Sequence, residues 1–96
     1  MSGEVSDTED SDEESKYHVH VFLQRLYGGR IMTIIDGINR RFDYYRILRD
    51  LELECYSRGR VVIDPVLGKV IELYGDCRYT AARFLEELSF KLVVKF

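Results

Sequence analysis

Two turns built around glycine, each flanked by strand-forming residues, constrain the fold of this chain most strongly. Tyr27-Gly28-Gly29-Arg30 separates two runs rich in β-branched and aromatic side chains, and the segment from Pro65 to Gly68 separates two more. Glycine adopts the positive φ that tight hairpin turns require, and proline suits such loops. The strands are predicted over residues 17–26, 31–36, 60–64 and 69–74. The pattern predicts two antiparallel hairpins.

Two helices are predicted, one after each hairpin, and a last strand ends the chain. Asp43 and Asp76 are suited to cap the helix N-termini, and apolar residues follow each of them at helical spacing. The apolar positions are Tyr44, Ile47, Leu48 and Leu51 in the first helix, and Cys77, Ala81, Phe84, Leu85 and Leu88 in the second. Residues 91–96 alternate in character, which predicts a fifth strand. Arg83 and Glu87 are predicted to pair on the exposed side of the second helix.

The predicted order of elements, ββαββαβ, favours an α+β fold. We expect a two-layer sandwich in which both helices cover one face of a mixed sheet of about five strands. Connections that pass through a helix should place at least one strand parallel to its neighbour. The folded domain is predicted over residues 17–96, a length that can bury a small core without covalent staples.

Residues 1–16 have a different character from the rest of the chain. They hold seven acidic residues, one lysine and almost no apolar side chains, so we expect a disordered acidic tail. The whole chain carries −3, of which the tail accounts for −6, so residues 17–96 carry +3. Ten of the 13 basic residues in that domain are arginine, whose planar fork binds phosphate bidentately. This balance suggests an anionic partner, although it is also compatible with an ordinary solvated surface.

The two cysteines and the polar N-terminus bear on the cellular compartment. Cys55 and Cys77 form neither a CxxC motif nor a metal-ligand pattern. The sequence has no recognisable signal peptide and no apolar run of the roughly 18–20 residues that a membrane span needs. We therefore expect a cytoplasmic protein with reduced thiols and no membrane contact.

Two groups of residues are candidates for contact with nucleic acid. The tip from Tyr27 to Arg30 offers backbone N–H groups, a positive charge and an aromatic ring, which suit a phosphate backbone beside an unpaired base. Arginines also cluster before and along the first helix, at Arg40, Arg41, Arg46 and Arg49. These would join Arg30 in one basic surface if the tip folds toward that helix. The alternative is a tight turn with an incidental arginine and a solvated helix face on which Asp50 pairs with Arg46.

The residues predict no catalytic site, no metal site and no cofactor. His18 and His20 share one strand face but lack a third ligand at a suitable spacing, so two surface histidines account for them. Cys77 fits the core, and Cys55 has no histidine or lysine neighbour to activate it. No Ser-His-Asp arrangement, phosphate-binding P-loop or pair of catalytic carboxylates can be assembled.

Taken together, these segments resemble the eukaryotic translation initiation factor 1 family from about Tyr17 to Phe96. The matching segments are Gln24-Arg25 before the glycine tip, Met32-Thr33, Gly37-Ile38, Phe42-Asp43, Arg46-Ile47-Leu48, Asp64-Pro65, Gly68 and the run from Val70 to Arg78. The Gly-Asp-x-Arg element at its end is the most specific part. A single Arg30 stands at the first tip where the family usually has two bases, whereas Arg40-Arg41 replaces residues that are commonly acidic.

The resemblance implies a monomeric, non-catalytic protein that binds the small ribosomal subunit near the P site. Such a factor promotes mRNA scanning and enforces start-codon selection by opposing premature accommodation of initiator tRNA. The rRNA-binding role that the resemblance implies falls on Gly28, Gly29, Arg30, Arg46 and Arg49. Arg25, Arg40 and Arg41 complete the predicted set of rRNA-binding residues as further arginines of the basic domain. The implied residues facing initiator tRNA are Asp64, Pro65 and Gly68. Other initiation factors of the preinitiation complex are further implied partners, with the acidic tail as a contact.

Three other functions stay open at this point. A reinitiation factor of the density-regulated kind carries the same domain after other modules, and would also be a ribosome-associated RNA-binding module. A small acylphosphatase-like hydrolase would need a phosphate-cradling loop between its first strand and a helix, which is not evident in this sequence. A protein-interaction module without RNA binding would leave the arginines merely solvated.

Overall fold

The computed structural model describes residues 18–96 and confirms the predicted order ββαββαβ. Its elements are β1 (Val19–Arg25), β2 (Ile31–Asp36), α1 (Tyr44–Cys55), β3 (Gly59–Asp64), β4 (Gly68–Tyr74), α2 (Arg78–Glu87) and β5 (Leu92–Val94). The predicted acidic tail, and Tyr17 at the start of the predicted domain, lie outside the described residues. None of the described helices is long and apolar enough to cross a membrane.

The five strands form one mixed sheet in the order β3-β4-β2-β1-β5. Both hairpins are antiparallel, and β2 also pairs antiparallel with β4. β5 pairs parallel with β1, with Val19 opposite Leu92, because the chain returns to this edge through α2 rather than through a tight turn. The predicted mixed sheet of five strands is thus confirmed.

Both helices pack on the same face of the sheet, as predicted for a two-layer fold. The apolar stripe of α1 buries Tyr44, Ile47 and Leu51, and that of α2 buries Ala81 and Leu85. These side chains share one core with strand residues from β1, β2 and β4. A second, smaller cluster of Met32, Ile34 and Val70 lies apart from this core. Burial of the helical stripes therefore holds the two layers together.

The helix N-termini match the predictions to different degrees. Asp43 caps α1 as predicted, because its Oδ1 accepts the backbone N–H of Tyr45 at 3.1 Å and of Arg46 at 3.2 Å. The cap predicted at Asp76 is wrong by one position, since Cys77 is the residue that immediately precedes α2. The Asp76 carboxylate instead pairs with the Arg78 guanidinium, and Oδ1 also accepts the Arg78 backbone N–H.

The expected reduced thiols are wrong for this structure, in which Cys55 and Cys77 form a disulfide. Cys55 is the last residue of α1, and Cys77 immediately precedes α2. Packing of the two helices brings their Cα atoms to 6.2 Å, within the separation that a disulfide spans. Both cysteines are partly buried against the main core, as expected for Cys77. The bond ties the end of one helix to the start of the other.

Candidate RNA-binding surfaces

The tip of the first hairpin is an exposed 3₁₀ turn held by its glycines. Gly28 and Gly29 have φ of 78° and 79°, and a Cβ on either would meet no atom within 4 Å. Backbone conformation, rather than lack of space, therefore demands glycine at both positions. The Leu26 N–H donates to the Arg30 carbonyl at 2.7 Å and closes the turn. Arg25 and Arg30 flank the turn and are exposed, so the tip presents its backbone together with two guanidinium groups.

The first hairpin tip lies at the end of the sheet where α1 finishes. The Gly75 N–H donates to the Ile31 carbonyl at 3.0 Å, and the Tyr74 N–H donates to the Arg58 carbonyl at 2.9 Å. The Ser57 hydroxyl donates to the Tyr74 carbonyl at 2.6 Å. These bonds link the segment after α1 to the start of β2. We call this part of the molecule, comprising residues 25–31, 56–58 and 74–75, the tip end.

The arginines that precede α1 lie at the opposite end of the sheet from Arg30. The Tyr44 hydroxyl donates to the Ile38 carbonyl, which places the start of α1 just beyond the last residue of β2. The six residues of β2 separate its two ends by about 17 Å. The tip does not fold toward the start of α1, so Arg40 and Arg41 do not join Arg30 in one patch. Arg46 and Arg49 lie on the exposed face of α1 between the two ends.

The predicted RNA-binding arginines have no acidic partners within the described residues. The ion pairs between residues 18 and 96 are Arg60 with Glu72 at 2.8 Å and Arg78 with Asp76 at 2.7 Å. The predicted Arg83–Glu87 pair is therefore wrong, and the alternative pairing of Arg46 with Asp50 is absent. In both cases the base precedes the acid, which is the weaker orientation on a helix, and exposed pairs gain little in water. Within residues 18–96, no carboxylate therefore competes with an external anion for these guanidinium groups.

The Gly-Asp-x-Arg element has a structural role at Arg78. Its guanidinium binds both carboxylate oxygens of Asp76 and also donates to the carbonyls of Lys95 and Phe96. Hydrogen bonding to Arg78 holds the pKa of the Asp76 carboxyl below its ordinary value. The Phe96 ring lies 5.1 Å from the guanidinium and stacks on Tyr79 at 4.5 Å. Arg78 therefore anchors the C-terminal residues to the start of α2.

The second hairpin places Asp64, Pro65 and Gly68 together at its tip, where Asp64 also organises the turn. Its Oδ1 accepts the N–H of Val66 at 2.7 Å and of Leu67 at 2.9 Å. These two hydrogen bonds hold the pKa of the Asp64 carboxyl below its ordinary value, and the bond from Leu67 has the larger effect. Gly68, with φ of 87°, opens the return strand. The tip therefore carries a fixed negative charge at neutral pH.

A groove of about 650 Å³ runs between the second hairpin and the connection from β2 to α1. Its lining includes Asp36, Arg40, Tyr44, Gly68 and Lys69. The Lys69 ammonium lies 4.6 Å from the centre of the Tyr44 ring, and burial raises the pKa of the Asp36 carboxyl. The structure thus brings Arg40, predicted to face rRNA, close to Gly68, predicted to face tRNA.

Sequence reasoning missed two exposed residues at the tip end, Tyr56 and Arg58. They follow α1 directly, and Arg58 shares a shallow pocket with Arg49. The sequence signal for this pair was an aromatic residue and an arginine two positions apart, directly after a predicted helix. Their nearness to the first hairpin depends on the pairing of β2 with β4 and could not be read from the chain.

Comparisons with known proteins identify the family to which this sequence is similar. The sequence model of the family described as Translation initiation factor SUI1 matches residues 15–91. A protein translation factor SUI1 homolog from Zea mays is 44% identical over 71 residues, covering 74% of this chain and 62% of the relative. The homolog from Salix bakko is 40% identical over 80 residues, covering 83% of this chain and 71% of the relative.

A third relative, protein translation factor SUI1 homolog 1 from Arabidopsis thaliana, is 38% identical over 80 residues, covering 83% of this chain and 71% of the relative. The match spans less than two thirds of the length of relatives such as the Zea mays protein. The resemblance derived from the glycine turns and the Gly-Asp-x-Arg element is confirmed. The chain belongs to the translation initiation factor SUI1 family.

Proposed function

We propose that this protein is a translation initiation factor that binds the small ribosomal subunit near the P site. It promotes mRNA scanning and enforces start-codon selection by opposing premature accommodation of initiator tRNA. Membership of the SUI1 family supports a role in translation initiation. The structural observation that carries the proposal is the set of predicted RNA-facing arginines, which are exposed and have no ion-pair partner within residues 18–96.

Ribosomal RNA would be held by Arg25 and Arg30 at the first hairpin and by Arg46 and Arg49 along α1. Guanidinium groups form charge-assisted, often bidentate hydrogen bonds to phosphate. The glycine tip adds a backbone that can approach closely, since a Cβ is absent at Gly28 and Gly29. Phosphate contacts of this kind position a protein on RNA without reading sequence.

The second hairpin would act on initiator tRNA by repulsion. Asp64 is held ionised by two backbone N–H groups at the tip, and a fixed carboxylate repels the phosphates of a fully seated tRNA. Such a like-charge contact discriminates by penalising the unwanted state. The protein would thus delay tRNA accommodation until correct codon pairing supplies enough binding energy to displace it.

The remaining features of the proposal concern partners and location. We propose a cytoplasmic, monomeric factor that acts by binding and not by catalysis. Other initiation factors of the preinitiation complex are its proposed protein partners, with residues 1–16 offering acidic charge to basic surfaces.

Binding of the labelled protein to purified small subunits across a salt series tests the proposal. We expect saturable binding that weakens as salt rises, because each phosphate contact releases counterions. Replacing Arg30 and Arg46 with alanine should weaken binding by about tenfold per residue, since each loses a charged hydrogen bond. It should also flatten the log–log salt slope by roughly 0.7 to 0.9 per lost contact.

The matched control is Arg83→Ala, which removes an exposed arginine of α2 that forms no ion pair within residues 18–96 and lies on a surface that the proposal does not use. Its affinity and salt slope should equal those of the wild type. Absence of saturable binding, or binding that Arg30→Ala and Arg46→Ala leave unchanged, would refute the RNA-facing role. It would favour a protein-interaction module whose arginines are only solvated.

A further inference from the structure

We propose that the tip end binds a short stretch of single-stranded RNA, with unpaired bases stacking on Tyr27 and Tyr56 and phosphates held by Arg30 and Arg58. This inference deepens the proposed function and rests on it, because it names a second mode of RNA contact for the same protein. Phosphate contacts alone would not distinguish paired from unpaired RNA. Aromatic rings would, since only an unpaired base offers its face.

The first observation is the extreme exposure of two tyrosine rings. Tyr27 is 97% exposed and Tyr56 is 96% exposed, whereas Tyr44, in the core, is 2% exposed. Tyrosine normally buries most of its ring when it contributes to stability. Neither ring at the tip end does so, and each leaves a flat aromatic face open to a partner.

The second observation is the backbone of Tyr56. This residue has φ of 50° and ψ of 44°, the left-handed conformation, at the C-terminal end of α1. Its N–H donates to the Glu52 carbonyl and so completes the helix end. Glycine is the usual residue at such a position because a side chain strains it. Helix capping therefore does not explain a tyrosine here, and a ring with no packing role is left to be explained by binding.

The third observation is the spacing of the tip end. Arg58 bonds to Tyr74 through the backbone, and Tyr74 lies opposite Met32 in the sheet. Two strand spacings of about 4.8 Å place Arg58 roughly 10 Å from the start of β2, where Arg30 stands. A segment of a few nucleotides can reach both arginines and both rings at once.

The fourth observation is the local charge. Arg25, Arg30 and Arg58 form no ion pair within the part of the chain that the structure describes. Two acids near the tip end have partners in the protein, since the Glu52 carboxylate accepts the Gly59 N–H at 2.8 Å and Asp76 pairs with Arg78. Exposed Glu54, two residues before Tyr56, offsets part of the charge of the three arginines. A positive surface with two exposed rings matches the combination of charged groove and stacking side chains by which proteins hold single strands.

Fluorescence anisotropy with a labelled 12-nucleotide single-stranded RNA, and with a duplex of the same length, tests this inference on the full chain. We expect the wild type to prefer the single strand. Tyr27→Leu and Tyr56→Gly should each weaken that binding about tenfold, the typical loss for one stacked base. Tyr56→Gly suits the left-handed backbone, so the helix end should survive, which circular dichroism checks. Tyr27→Phe and Tyr56→Phe should retain binding, because they keep the ring.

Tyr45→Leu is the matched control, since Tyr45 is also an exposed tyrosine but lies at the start of α1. Equal affinity of the wild type and both ring-removing variants for the single strand would overturn the inference, as would equal binding of single strand and duplex. If the wild type binds the oligonucleotide through its rings but does not bind the small subunit, the proposed function is refuted and this inference stands.

Discussion

Reduction of the Cys55–Cys77 disulfide is expected to lower the free energy of unfolding by about 3 kcal/mol. The bond closes a loop over a sequence separation of 22 residues, and closing such a loop removes entropy from the unfolded chain. The loop contains β3 and β4, so reduction removes the constraint from the part of the unfolded chain that forms the second hairpin. Urea unfolding with and without dithiothreitol measures the difference, and the thermal midpoint should fall by about 12 to 24 °C.

The double variant Cys55→Ser, Cys77→Ser controls for other effects of the reductant. It should unfold at the midpoint of the reduced wild type and should not respond to dithiothreitol. Identical unfolding of oxidised and reduced wild type would contradict the expectation. It would mean that helix packing alone holds the end of α1 against the start of α2.

Thr33→Val is expected to lower the free energy of unfolding by about 2 to 6 kcal/mol. The Thr33 side chain is fully buried, and its hydroxyl donates to the Gly75 carbonyl at 2.7 Å while accepting the Cys77 N–H at 2.8 Å. Valine keeps the shape but leaves both backbone groups unpaired in the interior, and each costs about 1 to 3 kcal/mol. Chemical denaturation monitored by circular dichroism measures the loss.

Thr33→Ser is the matched comparison, because serine keeps the hydroxyl and loses only a methyl group. It should lie much closer to the wild type than Thr33→Val does. If valine proves as stable as threonine, water or a backbone shift must satisfy Gly75 and Cys77, and the hydroxyl would not anchor this connection.

Thr33, the disulfide and Arg78 all act on the Gly-Asp-Cys-Arg segment. Thr33 fixes Gly75 and Cys77 to β2, the disulfide fixes Cys77 to α1, and Arg78 holds the last residues of the chain. The most specific part of the family resemblance is therefore the joint between sheet and helices. Its residues support the fold and do not contact RNA in this account.

Local patterns predicted most of the fold. The apolar stripe of α1 and its cap at Asp43 depend on helical periodicity and on one side-chain hydrogen bond, both of which lie within a few neighbouring residues. The positive φ of Gly28 and Gly29 is likewise a local requirement. The pairing of β2 with β4, and the parallel pairing of β5 with β1, join residues far apart in sequence and needed the structure.

The candidate site was harder to predict from the sequence, because much of it also depends on residues that are far apart in the chain. The turn residues of each hairpin were found, but the placement of Arg40 at the opposite end from Arg30 follows from the length and direction of β2. The disulfide depends on how α1 and α2 pack, and the role of Tyr56 on a left-handed backbone conformation that its residue type does not suggest. Long-range geometry decided the placement of Arg40 and the disulfide, and a local backbone conformation decided the role of Tyr56.

The most direct test of the central claim is a reconstituted initiation reaction from which the resident SUI1-family factor has been left out. Addition of this protein should restore assembly at AUG and suppress assembly at a near-cognate codon several-fold. Asp64→Asn should weaken that suppression, because asparagine keeps an acceptor for the Val66 and Leu67 N–H groups but removes the charge. Start-codon choice that is identical with and without the protein would contradict the account.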